Sequence, residues 1–351
     1  MKWNTSLSRI VGVVSLSVMG MGSVLAAEIT MATWGGIYGE TFKKVLAEPF
    51  EKETGIKVNL IYGNSLSNYQ KLVAQKQKPQ IDIVTLGSDV ATQGYQDGLF
   101  QALDPKEFPE VNLEKDRGVR YVDGKQLPFL PFFLLSYGIL YRTDLVPFEI
   151  TSWNDLWDPR LKNKVGVSSP RHAGGAFLLM MNKLAGGTES NVAPGLAKVK
   201  TLGKNLLLVA DGDAQQIQLI TQGEVWAQTV VSGAVSGPIE KGLKARYVVP
   251  KEGAVGILDV LGLVKNAPNS EDAKKFLRYV LAPQRLERVV NALYVMPTNP
   301  DVPIDAKVVN IVGGTREDLK RLVFFDEKAQ TKNRAEWIEE WDKEILPMTK
   351  R

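Results

Sequence analysis

Cysteine is absent from this chain of 351 residues, and histidine occurs once, at position 172. The first absence excludes disulfide staples and thiol catalysis, and it removes the soft ligands that many structural zinc sites use. The second excludes a metal site built on two or more histidines. Neither a GxSxG nucleophile elbow nor a GxxxxGK[ST] phosphate loop occurs. The glycines of "GGIYG" do not meet the G-x-G-x-x-G spacing of a dinucleotide loop. Nothing catalytic is on show, and no cofactor or metal is expected. Charge of one sign is also lacking. There are 43 Lys and Arg against 39 Asp and Glu, interspersed, with none of the basic patches that mark nucleic-acid binding.

Long apolar runs are missing too, except at the start. Lys2 and Arg9 precede "IVGVVSLSVMGMGSVL", and small residues follow in "VLAAE". This is the pattern of a secretory signal, residues 1–27, cut after Ala26 or Ala27. The alternative, a retained membrane anchor, is disfavoured because Gly and Ser break the run and it is short for a bilayer span. Without Cys near the cut there is no lipid attachment, so a freely soluble periplasmic protein is expected. Loss of Lys2 and Arg9 lowers the formal charge from +4 to +2. The remaining chain of about 324 residues suffices for two domains held by their cores.

Short apolar runs then alternate with helical patterns. "KVNLIYG", "LSNYQKLVAQKQ" and "IDIVTLG" read as strand, helix and strand, the signature of a parallel α/β unit. "ATQGYQDGLF" reads as a short helix ending at Gly98. "LPFLPFFLLSYGILYRTDLV" reads as extended, its prolines disfavouring helix. In "TSWNDLWDPRLK" the cap is Thr151 or Ser152, Asp155 falls in the first helical turn and Pro159 is the stop. "KVGVSSP", "VWAQTVV", "ARYVVPKEG" and "ILDVLGLVK" read as strands. "GGAFLLMMNKLAGG" and "DAQQIQLITQGE" read as helices. "SEDAKKFLRYVLAPQRLERVVNAL" reads as a helix pair capped by Ser270 and broken at Pro283. "NRAEWIEEWDKEILPM" is an amphipathic helix with Trp337, Trp341 and Ile345 on one face. Trp153 and Trp157 fit a core, and Trp226 fits either core or cleft. Two α/β domains joined by strands fit this order, with crossings near Leu134–Leu140, Leu258–Leu263 and Met296–Pro303.

The stretches "EPFEKETGIKVN", "SWNDLWDPRLKNKVGV", "QGEVWAQ", "VVPKEGAVGILDVLGLVKNAPNSEDAKKFLRYVLAP" and "YVMPTNP", with Trp34 in the opening strand-loop, resemble the extracellular solute-binding proteins of bacterial ABC importers. The likeness is to the branch that includes the spermidine/putrescine-binding proteins. It implies a type II periplasmic-binding-protein fold: two α/β lobes, each a mixed sheet flanked by helices, closing by a hinge over a cleft. The expected lobes are 28–136 with 260–300, and 137–259 with 301–351 including the C-terminal helix. The implied partners are a small-molecule ligand, the membrane permease and, indirectly, its ATPase, with the receptor itself a monomer.

The resemblance also implies a set of ligand-binding residues. In "ATWGGIYGE", Trp34 falls on a cleft aromatic that stacks on the ligand, with Tyr38 close behind. Aromatic faces attract cations, Trp most strongly, and the glycines let backbone approach. The alternative for Trp34 is a core position under the loop. Asp259, in "GILDVLGL", matches an acid that holds a ligand amine, and an acid in an apolar strand is costly to bury unpaired. The alternative is a hinge residue paired to backbone or to Arg. Tyr294 matches another cleft aromatic, or else packs in the core. Ser88 and Asp89 stand where the family often has Ser and Tyr, and Ser232 follows Val231 in the second lobe.

The departures bear on the ligand. "SSPRHAGGAF" carries Arg171 and His172 where the polyamine binders carry acids for a second amine. Val231 and Ile257 replace two tryptophans. An amine held at Asp259 and an anion held at Arg171, near a helix N-terminus, describe a zwitterion such as an amino or ω-amino acid. A polyamine competes with it, and Arg171 paired to a local acid is the alternative reading of that residue. The rival class is an anion such as aminophosphonate, or ferric iron. A role in presenting ligand to a chemosensor would use the same fold.

Overall fold

The computed structural model describes Met1 and residues 27–111, 125–299, 301–313 and 315–349. The expected signal segment lies, but for its two ends, outside the described residues. The first lobe begins with three parallel strands, β1 (Glu28–Thr33), β2 (Lys57–Tyr62) and β3 (Ile83–Gly87), with β1 central and in register Ile29 to Val58 and Met31 to Ile83. Between β2 and β3 runs the helix Ser65–Ala74. It starts where it does because Asn64 and Ser67 form a reciprocal capping box, with Asn64 Oδ1 accepting from Ser67 N at 2.8 Å. The second lobe holds β5 (Val165–Ser168) between β6 (Leu206–Ala210) and β7 (Ala227–Val231), again all parallel.

Two long strands join these groups. β4 (Leu130–Arg142) is buried along nearly its whole length, as its largely apolar sequence favours. β9 (Ala254–Leu263) lies antiparallel to it, Leu134 opposite Leu258. The C-terminal half of β9 also pairs with β3, and the C-terminal half of β4 pairs with β7 and with β8 (Ala245–Val248). Short strands β10 (Met296–Pro297) and β11 (Leu322–Val323) add to β4 and β9. The result is one sheet in the order β2-β1-β3-β9-β4-β7-β5-β6, with helices on its faces.

Several local expectations shift. The segment "GGIYG" is no loop: Gly35 caps a helix, Gly36–Thr41, that runs on through Phe42–Ala47 to Glu48–Thr54. Gly39 fits there because a Cβ would stand 2.5 Å from Cε1 of Tyr62 and 2.9 Å from the Trp34 carbonyl. "SWNDLW" is only a 3-10 turn, Trp153–Trp157, because Pro159 follows at once; of the two cap candidates Ser152 is the cap, and it forms a reciprocal box with Asp155. Trp153 is core, and its Nε1 donates to Gly253 O at 2.8 Å. Trp157 is half-buried, its Nε1 donating to Thr201 Oγ1. Trp226 is half-buried beneath Lys164, which sits 5.1 Å from its ring centroid. The cap of helix Ser270–Leu281 is Asn269, one residue earlier than expected, held by Asp82 Oδ1.

The last helix, Glu327–Glu344, begins earlier than its hydrophobic pattern shows, because Asp326 caps it by accepting from Ala329 N at 2.8 Å. Trp337 and Trp341 are buried and Ile345 follows them, which anchors this helix on the second lobe. Its first turns instead meet the first-lobe helix Ser88–Gln96.

Candidate binding cleft

Parallel strands end on the same side, and in open α/β sheets that side is where ligands bind. Here β1 and β3 end at Thr33 and Gly87, and β5, β6 and β7 end at Ser168, Ala210 and Val231. The segments that leave these ends include the walls of a cleft of about 620 Å³, whose lining includes Trp34, Ser65, Asp89, His172, Ile257 and Gln330.

The aromatic wall comes from the first lobe. Trp34 meets Tyr38 edge-on at 5.7 Å between centroids, and both lie against Phe133, at 6.1 and 6.3 Å. Trp34 Nε1 donates to Ser65 Oγ at 3.3 Å, and the same oxygen accepts from Gly87 N at 3.1 Å, which holds the indole in place. The Tyr38 hydroxyl reaches the second lobe, where a Cβ on Gly233 would stand 2.7 Å from it. Burial, then the charges of Asp259 and Asp213, pushes the Tyr38 phenol above its ordinary pKa, so it remains a neutral donor.

Asp259 sits on β9 opposite Gly87 of β3 and Phe133 of β4. It is 6 % exposed, and among the described residues no group hydrogen-bonds to its carboxylate. Its environment is apolar on one side and acidic on the other. A Cβ on Gly87 would stand 3.8 Å from Asp259 Oδ1 and 3.0 Å from Asp89 Oδ1. Desolvation, aided by the charge of Asp89, holds the Asp259 carboxyl well above the usual carboxylate range. A carboxylate in this position gains most from an incoming cation that restores the interactions lost from water.

The other expected residues are placed as follows. Asp89 is in the lining of the cleft, which Tyr38 and Asp259 are not, and its Oδ2 accepts from Arg334 Nη2 of the last helix at 3.0 Å. Ser88 donates to Glu327 of the same helix, as does Thr92, the latter at 2.7 Å. Arg171 lines the cleft, yet its guanidinium is held in a fork by Asp342, at 2.9 and 2.6 Å. The positive group expected opposite Asp259 is thus already neutralised, which is the paired-arginine alternative. Ser232 is buried, and its Oγ accepts from Ser136 N at 3.1 Å, tying the end of β7 to β4. Tyr294, like Ser232, is not in the lining of this cleft. Its hydroxyl donates to Glu240, which also accepts from Lys307.

Sequence reasoning missed Asp213. The loop after β5 has no acid, but the loop after β6, "ADGDA", supplies one beside His172, whose Nε2 lies 3.0 Å from Asp213 Oδ1. The available signal was an acid just past a strand's carboxyl end. It also missed Glu327, Gln330 and Arg334, which the last helix brings to the cleft from far along the chain.

A two-lobed α/β fold with a cleft of this kind defines a solute-binding receptor. The family model described as bacterial extracellular solute-binding protein matches residues 45–311, and the chain belongs to that family. It is similar to the spermidine/putrescine-binding periplasmic protein 1 of Haemophilus influenzae, 28% identical over 267 residues, covering 71% of this chain and 70% of that one. It is also similar to a putative 2-aminoethylphosphonate-binding periplasmic protein of Salmonella typhimurium, 22% identical over 297 residues, covering 82% and 84%. Among solved structures, an ABC transporter protein from Clostridium perfringens superposes with a TM-score of 0.76 at 25% identity, covering 90% of this chain and 99% of that one. The substrate-binding protein PotD of Streptococcus pneumoniae shares the fold, with a TM-score of 0.74 at 18% identity over 90% and 99%. Proteins of this family are solute-binding proteins rather than enzymes. They bind a small molecule and deliver it to an ABC permease, and this chain is such a transporter component.

Proposed function

We propose that the protein is a periplasmic receptor that captures a small amine-bearing metabolite, with Asp259 as the ammonium anchor. The observation that carries this reading is the buried Asp259 carboxylate, without a hydrogen-bonding partner among the described residues, beside the Trp34–Tyr38–Phe133 cluster. A cation there meets a charge on one side and aromatic rings on the other. The names of the relatives, polyamine and 2-aminoethylphosphonate binders, support a ligand with an amine.

Because Arg171 is occupied by Asp342, a purely cationic ligand is favoured over the zwitterion that the sequence suggested. Aminophosphonate keeps the same anchor and remains the second reading. Trp34, Tyr38, Asp89 and Asp259 form the proposed contact set. Ser88, Arg171 and Ser232 shape the walls, and Tyr294 is left outside. In this proposal the lobes are 28–136 with 260–300 and 137–259 with 301–351. The pairing of β9 with β3 from Asp259 onward supports a boundary there. Export by the 1–27 signal, a monomeric state and docking on a membrane permease complete the proposal.

The test is a thermal-shift series on protein freed of carried-over ligand. It uses putrescine, spermidine, 4-aminobutyrate, 2-aminoethylphosphonate and ferric citrate, with wild type and Asp259→Asn. A ligand that binds only the native state raises Tm with its concentration. Stabilisation by an amine, lost in Asp259→Asn, supports the proposal. Stabilisation by ferric citrate alone would overturn it.

A further inference from the structure

The segment from β11 through the last helix touches both lobes, and its two ends are fixed on the second. β11 pairs with β9 at Ala254 and Val255, and a Cβ on Gly256 would stand 2.5 Å from Cε1 of Phe324. At the other end Trp337 and Trp341 are buried in the second-lobe core, with Trp341 edge-on to Phe177 at 6.3 Å between centroids. Asn333 Nδ2 donates to Glu189 O at 3.0 Å, and Lys200 pairs with Glu344 at 2.6 Å. The helix therefore travels with the second lobe.

Between these fixed ends it grips the first lobe. Glu327 opens the helix, and Arg334 follows about two turns later on the same face. Ser88 and Thr92 stand at i and i+4 on the helix Ser88–Gln96, so their hydroxyls point the same way. Ser88 donates to Glu327 Oε1, and Thr92 donates to Oε2 at 2.7 Å. Arg334 adds its bond to Asp89 at 3.0 Å. Hydrogen bonds to an ionised acceptor are stronger than neutral ones, and Glu327 and Thr92 are both half-buried. Thr92 is not in the lining of the cleft. The Thr92–Glu327 bond thus joins the lobes without touching a ligand.

We propose that the last helix is an interlobe latch, in which Glu327 grips Ser88 and Thr92 and holds the lobes closed by bonds that the ligand does not make. Glu327 and Thr92 are then positioning residues for ligand capture. The inference rests on the lobe assignment proposed above and not on the identity of the ligand. Hinge opening carries the helix away with the second lobe and breaks these bonds. Tyr294 also bonds Glu240 across the lobes, but it stands just before β10, which pairs with the crossing strand β4, where opening moves least. A ligand captured by the closed form has its apparent affinity scaled by the closed fraction of the free protein. The latch therefore tunes affinity for every ligand by one common factor, whereas contact residues such as Asp259 set the differences between ligands.

The absence of cysteine makes the test direct, because an introduced pair can be spin-labelled without background. Gln70→Cys and Gln218→Cys place labels on exposed positions of the helices Ser65–Ala74 and Asp213–Gln222, one in each lobe. Distances between the labels are measured by pulsed electron resonance on ligand-free protein, in the otherwise native chain and with Thr92→Val or Glu327→Ala added. Thr92→Val lowers the ratio of closed to open protein by about two- to tenfold, and Glu327→Ala lowers it further. Adding Thr92→Val to Glu327→Ala changes nothing more, because the bond is already gone. Calorimetry with putrescine and n-butylamine then shows both weakened by the factor by which the closed fraction fell. An unchanged distance distribution in both variants overturns the proposal, and so does a ligand-free native chain found wholly open. Unequal weakening of the two amines with an unchanged distribution overturns it too, and makes Glu327 a ligand contact. If the distribution shifts as expected while the native chain binds neither amine, the latch stands and the amine reading of Asp259 falls.

Discussion

Replacing Asp259 by Asn will stabilise the empty protein at neutral pH while abolishing ligand capture. The native carboxyl titrates well above its ordinary value because burial, then Asp89, opposes its charge. Above the unfolded value, near 3.9, the unfolded chain has released its proton while the native chain retains it. Stability therefore falls as pH rises through the window between the unfolded and native values. Asn has no such proton to lose, so this contribution to the pH dependence is absent from the variant. Burial of a polar group without compensation costs about 1–3 kcal/mol in proteins. Each kcal/mol corresponds to about 2–4 °C in Tm for a chain approaching this size. The assay is calorimetric unfolding of ligand-free wild type and variant from pH 4 to pH 8. The variant is expected to gain in Tm at neutral pH, with the gain vanishing towards pH 4. A lower Tm for Asp259→Asn at neutral pH, or wild-type stability that does not decline with pH relative to the variant, would refute the idea of an uncompensated carboxylate.

Three further outcomes can be checked. Trp34→Ala removes the ring beside the anchor, and a loss of about 0.5–2 kcal/mol in binding an amine, with little change in unfolding, is expected by titration calorimetry. Gly233→Ala places a Cβ 2.7 Å from the Tyr38 hydroxyl and 3.0 Å from Leu135 Cδ2. The lobes should part, seen as a larger radius of gyration by X-ray scattering and weaker binding, with Tyr38→Phe in the same chain restoring part of both. Trp341→Ala empties a fully buried site under the last helix, and denaturant unfolding should register a loss of about 3–5 kcal/mol.

Much of this protein was legible before any coordinates. Strands such as "IDIVTLG" and "ILDVLGLVK" announce themselves because β-branched runs bounded by glycine have few alternatives, and "NRAEWIEEWDKEIL" announces its buried face by spacing. Trp34, Asp89, Arg171 and Asp259 could be singled out as chemically notable. What their charges face could not. Arg171 is neutralised by Asp342, which lies 171 residues later, and Asp89 by Arg334, 245 residues later.

The length of local elements also escaped the sequence where packing or capping decided it. The helix after β1 begins inside "GGIYG", where Gly39 leaves room for Tyr62 of the next strand. The last helix gains its first turns from the Asp326 cap and meets the other lobe there, though its hydrophobic stripe starts later. Tyr294 was read as a cleft aromatic, yet Glu240 and Lys307 hold it elsewhere. Sequence alone determined the family, the alternation of strands and helices, and the presence of an acid in an apolar strand, since these follow from local pattern and order. Only the tertiary structure decided the sign of the cleft. Electrostatic partnership acts through space over a few ångströms, and the folded sheet brings together carboxylates and cations that the chain holds hundreds of residues apart.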